Sequence, residues 1–241
     1  MIFRAFLAAT ILSGAAMVSA QIVPMPTTLN ALAAPGSAVI VGNLEFYNFQ
    51  SSGDVPLQSI QVIKAPGSEL GLEFRADWKS SDGNPVRSNI NYDVRVWDGS
   101  PVNFSVVDLS FNGATTGSGS GVGAGDQLNI FSLGGVSQLG YGVVQNVVGS
   151  GRANYSSTSL RLSSSVPHIS VFNNITLDSL VSLESPAGPP PATATISFID
   201  NTFQLTGTAA VPLPPALFMA LCTIGLGLFA PIRRRVLSRL L

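Results

Sequence analysis

The 241-residue sequence contains one cysteine and one histidine, and charged side chains make up only 10% of it. A lone cysteine forms no intramolecular disulfide, which excludes a disulfide-stapled mini-protein. One histidine and one cysteine do not supply the usual zinc ligand set. Ordinary soluble domains carry about 25% charged residues, so the low charge argues against a cytosolic enzyme. With 12 basic and 13 acidic side chains there is no basic surplus, and a nucleic-acid binder is excluded on that ground. Ser, Thr, Asn, Gln and the 24 glycines take the place of the missing charge.

What charge there is falls unevenly. All 13 acids lie between residues 21 and 211, with seven bases among them, whereas Arg4, Arg233, Arg234, Arg235 and Arg239 lie outside. The middle of the chain is therefore acidic and its C-terminus basic, and the acidic part should repel anionic surfaces.

Both ends are apolar. Arg4, the apolar stretch Phe6 to Leu12, and the small residues Val18 and Ala20 have the layout of an export signal, which predicts cleavage between Ala20 and Gln21. No cysteine follows that stretch, so a lipid anchor there is excluded. From Val211 to Ile232 the chain carries no charge. As a helix these residues would span about 33 Å, against a hydrocarbon core of about 30 Å. Pro214 and Pro215 suit the first turn of such a helix, where amide hydrogens have no partner anyway. Arg233, Arg234, Arg235 and Arg239 follow directly and would stay on the cytoplasmic side as a stop to transfer. A transmembrane helix over 214–232 is predicted, with Cys222 inside it as a small apolar packing residue.

The order Val211-Pro212-Leu213-Pro214-Pro215-Ala216, apolar helix, Arg233-Arg234-Arg235 resembles the bacterial PEP-CTERM sorting signal in its VPLPA-CTERM form. The resemblance covers about 30 residues at the extreme C-terminus and leaves the rest of the chain unassigned. It implies processing by an exosortase, a membrane-embedded transpeptidase of Gram-negative bacteria that make exopolysaccharide. Val211, Pro212, Leu213, Pro214 and Pro215 would be the recognised motif. Independently of the family, prolines deny this motif regular backbone pairing and leave it extended.

Residues 21–205 read as one all-β ectodomain, a β-sandwich of jelly-roll type, with 206–210 as tether and 211–241 as the sorting tail. Leu70, Leu72, Phe74, Ala76 and Trp78 alternate with polar residues, as do Val86, Ile90, Tyr92, Val94 and Val96. The Asp82-Gly83-Asn84-Pro85 turn between them predicts an antiparallel hairpin. Shorter apolar or alternating runs recur at 38–49, 55–63, 102–111, 127–133, 139–148, 158–162, 168–177 and 195–205. No amphipathic helical stripe of useful length precedes residue 216. Gly113 to Gly125 reads as a loop between strands.

Little converges on catalysis. His168 is expected at a strand start, and no Gly-x-Ser-x-Gly elbow accompanies it. An exported hydrolase using His168, or a carboxylate pair drawn from Glu69, Glu73, Asp93 and Asp108, stays as one alternative. Asp82-Gly83-Asn84 and Asp98-Gly99-Ser100 offer oxygen atoms to calcium but read better as turns. Trp97 is expected to be exposed, where its ring would stack on a sugar. No catalytic set, metal or cofactor is assigned. The leading expectation is a non-enzymatic envelope or matrix protein associated with membrane, exosortase and exopolysaccharide. A carbohydrate-binding module is its runner-up.

Overall fold

A computed structural model describes residues 21–68, 70–81, 83–97, 100–116, 122–147, 156–179 and 192–207. The chain divides into a unit of residues 1–206 and a second of 207–241. The export signal, the Val211–Pro215 motif, the 214–232 helix and the arginines at 233–235 and 239 lie outside the described residues. Among the described residues no helix is long and apolar enough to cross a membrane.

Among the described residues thirteen strands form two sheets. Strands β1 (Gln21–Ile22), β3 (Ser37–Val41), β4 (Leu44–Gly53), β7 (Val86–Val96), β12 (His168–Ser179), β9 (Val122–Ser132) and β10 (Gln138–Val147) lie side by side in that order. The second sheet runs β11 (Ser157–Val166), β8 (Val102–Thr116), β13 (Thr193–Gly207), β6 (Gly71–Ser81), β5 (Gln61–Lys64) and β2 (Thr27–Thr28). β1 pairs with β3 in parallel, whereas β9 pairs antiparallel with both β10 and β12. One turn of helix, α1 (Leu29–Leu32), is capped at its N-terminus by the Thr28 hydroxyl, which accepts from the Ala31 N–H.

Period-two alternation puts one set of side chains from each sheet into a shared core. The seven-stranded sheet contributes Leu44, Phe46, Ile90, Tyr92, Val94, Leu128, Ile130 and Val171, all buried. Leu72, Phe74, Trp78, Phe104, Leu109, Ile196 and Ile199 face them from the other sheet. The Phe46 and Phe203 ring centroids are 5.7 Å apart, and Phe104 meets Phe203 edge-on at 5.7 Å. β10 faces β11 across the core at close range, with Gly140 and Gly142 packed against Leu160 and Leu162. A Cβ on Gly142 would stand 2.8 Å from Leu160 Cδ2, so a larger residue there requires the Leu160 side chain to shift.

The all-β sandwich expected from the sequence is the observed architecture. The expected hairpin is not. β6 and β7 follow one another in the chain but belong to opposite sheets, with a bridge between Ser81 and Asn84 at the turn. Their apolar faces look at each other through the core, with the Phe74 and Tyr92 centroids 5.7 Å apart. Alternation requires one buried face per strand. A strand satisfies that equally well beside its neighbour or across from it, so the pattern alone does not fix the pairing. The glycine-rich loop is also shorter than expected, because Gly113–Thr116 extend β8 and Val122–Gly125 open β9. Thr206 and Gly207, expected in the tether, end β13.

Candidate functional site

The outer face of the seven-stranded sheet is ordered in rows by strand register. One row runs Tyr141, Asn129, Phe172, Asn91, Gln50 from β10 to β4. The next runs Val143, Gln127, Asn174, Asn89, Ser52. These rows carry six amide side chains and no charge. Toward the other strand ends follow Gln145, Gly125, Thr176 and Arg87, then Val147, Gly123 and Asp178.

Two shallow depressions, both bordered by Asn174, follow one another along β9 and β12 and are together referred to as the groove. The first, about 360 Å³, is lined by Asn129, Phe131, Gly135, Phe172 and Asn174. Phe131 and Phe172 are partly exposed and meet edge to face, with centroids 5.2 Å apart and planes at 83°. The turn between β9 and β10 borders this end through Gly135, and neighbouring Val136 is 86% exposed. Tyr141 of β10 stands beside it, 54% exposed.

The second depression, about 270 Å³, is lined by Gly123, Gly125, Gln127, Gln145, Thr176 and Asp178 among others. Its floor is low because two successive outward positions of β9 are glycine. A Cβ on Gly125 would lie 3.0 Å from the Val144 carbonyl oxygen and fill the trough. Glycine inside a strand weakens it and marks a close approach by another group. No hydrogen bond holds the Gln127, Asn174, Thr176 and Asp178 side chains among the described residues, so they face the groove with donors and acceptors unused. Asn129 is steadied from the side, its Oδ1 accepting from Gln138 Nε2 at 3.1 Å.

Beneath this trough lies an unusual carboxyl. Asp126 falls in the inward phase of β9, between Ala124 and Leu128, and is buried. No side chain among the described residues donates to either of its oxygens, and the nearby backbone N–H groups of Gln127 and Asn174 do not reach full hydrogen-bond geometry. Burial pushes its pKa up to about 7, and the backbone N–H groups of Gln127 and Asn174 only partly oppose this.

A third depression of about 280 Å³ lies toward the opposite edge of the same sheet, around Ser37, Glu45, Tyr47, Asn48 and Arg95. Buried Glu45 accepts from the Arg95 guanidinium, which also lies 5.1 Å above the Tyr47 ring. That hydrogen bond raises the Arg95 pKa, and burial raises that of Tyr47. Asp93 is held by Asn48 Nδ2 at 2.8 Å and Ser170 Oγ at 2.6 Å.

The residues singled out from sequence are scattered. Trp97 is 49% exposed and follows the end of β7, where its N–H donates to the Asn43 carbonyl. It lines none of the three depressions. His168 opens β12 as expected, opposite Arg95. Glu73 and Asp108 share the outer face of the six-stranded sheet, whereas Asp93 is on the other sheet and apart from both. Glu69, Asp82 and Asp98 lie outside the described residues. Glu73 instead pairs in register with Asp200, a carboxyl the sequence reading passed over. Burial and then the neighbouring Glu73 carboxylate push the Asp200 pKa up to about 7. Among the described residues no group of three or more His, Cys, Asp or Glu is gathered to hold a metal ion.

Phe131 and Phe172 were absorbed into apolar runs in the sequence reading, yet their phase marks them. Phe131 is in phase with Gln127 and Asn129, and Phe172 with Asn174 and Thr176, so each falls on the polar face of its strand.

No family model matches the chain, and no curated protein does. Solved structures with some likeness include the carbohydrate-binding module TmCBM61 in complex with β-1,4-galactotriose, at 17% identity and a TM-score of 0.30, covering 66% of this chain and 88% of that one. Arabinose-bound MgGH51 α-L-arabinofuranosidase gives 15% identity and a TM-score of 0.24, covering 63% of this chain and 23% of that one. A family 11 carbohydrate-binding module from Clostridium thermocellum, in complex with a β-1,3-1,4-mixed-linked tetrasaccharide, gives 11% identity and a TM-score of 0.18, covering 66% of this chain and 88% of that one. With TM-scores of 0.30 and below, none of these likenesses carries a binding role over to this chain.

Proposed function

We propose that this chain is a non-catalytic glycan-binding protein displayed at the bacterial cell envelope. The observation that carries the binding role is the groove itself, in which partly exposed Phe131 and Phe172 sit among uncharged amides, those of Gln127 and Asn174 with unused hydrogen-bonding groups. A sugar ring has apolar C–H faces and a rim of hydroxyls. Aromatic rings cover the first, and amides both donate to and accept from the second. A groove with an apolar wall and a few fixed polar groups is the ordinary form of a small-molecule site. Affinity electrophoresis of the full chain through gels containing neutral polysaccharides tests the reading. Retardation that Phe172→Ala abolishes is expected, and unretarded migration in every gel overturns it.

Display at the envelope is supported by the two chain ends. The export signal, the Val211–Pro215 motif and the arginine stop suit a sandwich that is carried out of the cytoplasm and then handed to an exosortase-like enzyme. The matrix glycan of such a cell is a natural ligand class for the groove.

A further inference from the structure

The groove runs along the strands and is uncharged over most of its length, and its two ends differ chemically. From Phe131 to Gly123 the outward positions of β9 span nine residues, about 27 Å of strand. The aromatic pair and Gly135 occupy one end. The glycine floor, Gln127, Thr176 and Asp178 occupy the other, and Asn174 lies at the junction of both depressions. No cation lines either depression. Arg87 pairs in register with Thr176 but lines neither. Asp178 is the one solvent-reaching charge along the groove, and a carboxylate there repels anionic sugars while accepting from two neighbouring hydroxyls.

We propose that the groove takes a neutral, unbranched glycan of about five pyranose rings, lying along β9 and β12 with one ring on Phe131 and Phe172 and the far end over the Gly123–Gly125 floor. This rests on the glycan-binding reading above and assigns it a ligand class, a length and a direction along the strands. A chain lying across the strands would engage only one of the two depressions. A branch would meet Tyr141 and Val143 on the β10 side.

Titration calorimetry of the full chain in detergent tests it, with neutral gluco- and galacto-oligosaccharides of one to six units and oligogalacturonates of the same lengths. In the neutral series that binds, affinity should rise at least tenfold from two units to four and level off beyond five. Oligogalacturonates should bind at least tenfold more weakly than galacto-oligosaccharides of equal length. Thr176→Trp, which fills the polar trough from the outer face, should weaken the five-unit ligand at least tenfold and leave the two-unit ligand within twofold. A flat length series, or equal loss for both lengths in Thr176→Trp, overturns the extended ligand and leaves glycan binding standing. Tighter binding of oligogalacturonates overturns neutrality alone. No binding by any member overturns both.

Discussion

Asn201 of β13 reaches across the core and donates its side-chain amide to Tyr92 Oη at 2.9 Å and to Asn173 Oδ1 at 3.0 Å. Those acceptors lie on β7 and β12, so one buried amide ties the two sheets together. All three residues are buried, and Tyr92 also stacks against Phe49 with centroids 5.3 Å apart. Removing one partner from such a network strands the others without water. Asn201→Ala should therefore cost about 2–3 kcal/mol in denaturant unfolding. Tyr92→Phe keeps the ring packing and loses one acceptor, and should cost about 1 kcal/mol. Equal and negligible costs would show that water replaces the amide.

Phe172 and Trp97 make a decisive pair. Both are aromatic and accessible, but only Phe172 lines the groove. Phe172→Ala should lower affinity for a neutral glycan about tenfold, the equivalent of roughly 1.4 kcal/mol of stacking. Trp97→Ala should change it less than about twofold. The reverse ranking, measured by calorimetry on the two variants, would move the site to the end of β7.

The sandwich was legible because its strands are amphipathic with strict period two, as in Val122, Ala124, Leu128 and Ile130 against Gly123, Gln127 and Asn129. Pairing was less so. Whether β7 lies beside β6 or across from it depends on contacts such as Phe74 with Tyr92, which no local pattern encodes. The groove was half legible. Phe131 and Phe172 are out of phase with the core in the sequence itself, but their convergence depends on β9 and β12 being neighbours, although about 40 residues separate them in the chain. Asp126 shows the converse: a carboxylate in the apolar phase of its strand, visible as an anomaly before its burial is known.

The sorting reading makes its own prediction, independent of the groove. Processing at the Val211–Pro215 motif would remove the apolar segment and the arginines at 233–235 and 239 together. Mass spectrometry of envelope material should then find a chain starting at Gln21 and ending near residue 211, several kilodaltons lighter than the chain from a strain without the processing enzyme. Replacing Pro212, Leu213 and Pro214 by alanine should preserve the full C-terminus in both strains. Mature protein that retains Leu241 in every strain would make the tail a permanent anchor.

Acidity should act on stability through Asp126, and the sign is set by the direction of its shift. Burial raises its folded pKa to about 7, above the ordinary aspartate value of 3.8. The folded chain thus holds this proton more tightly than the unfolded chain does. The stabilisation is fully present below about pH 4 and is lost as pH rises through 7. Asp200, raised in the same direction by burial and by Glu73, adds to the trend with the same sign. The full chain should therefore unfold at a lower temperature at pH 8 than at pH 5, by roughly 4–8 °C for a loss of about 2 kcal/mol. Asp126→Asn removes the titrating group while keeping its shape, and should flatten the slope by about half, leaving the part due to Asp200. Because Asp126 lies behind Gln127 and Asn174, relief of its buried charge should also reduce any loss of glycan affinity between pH 5 and pH 8. An unchanged pH slope in Asp126→Asn would mean that the wild-type carboxyl finds water or a donor in solution and does not ionise against an apolar wall.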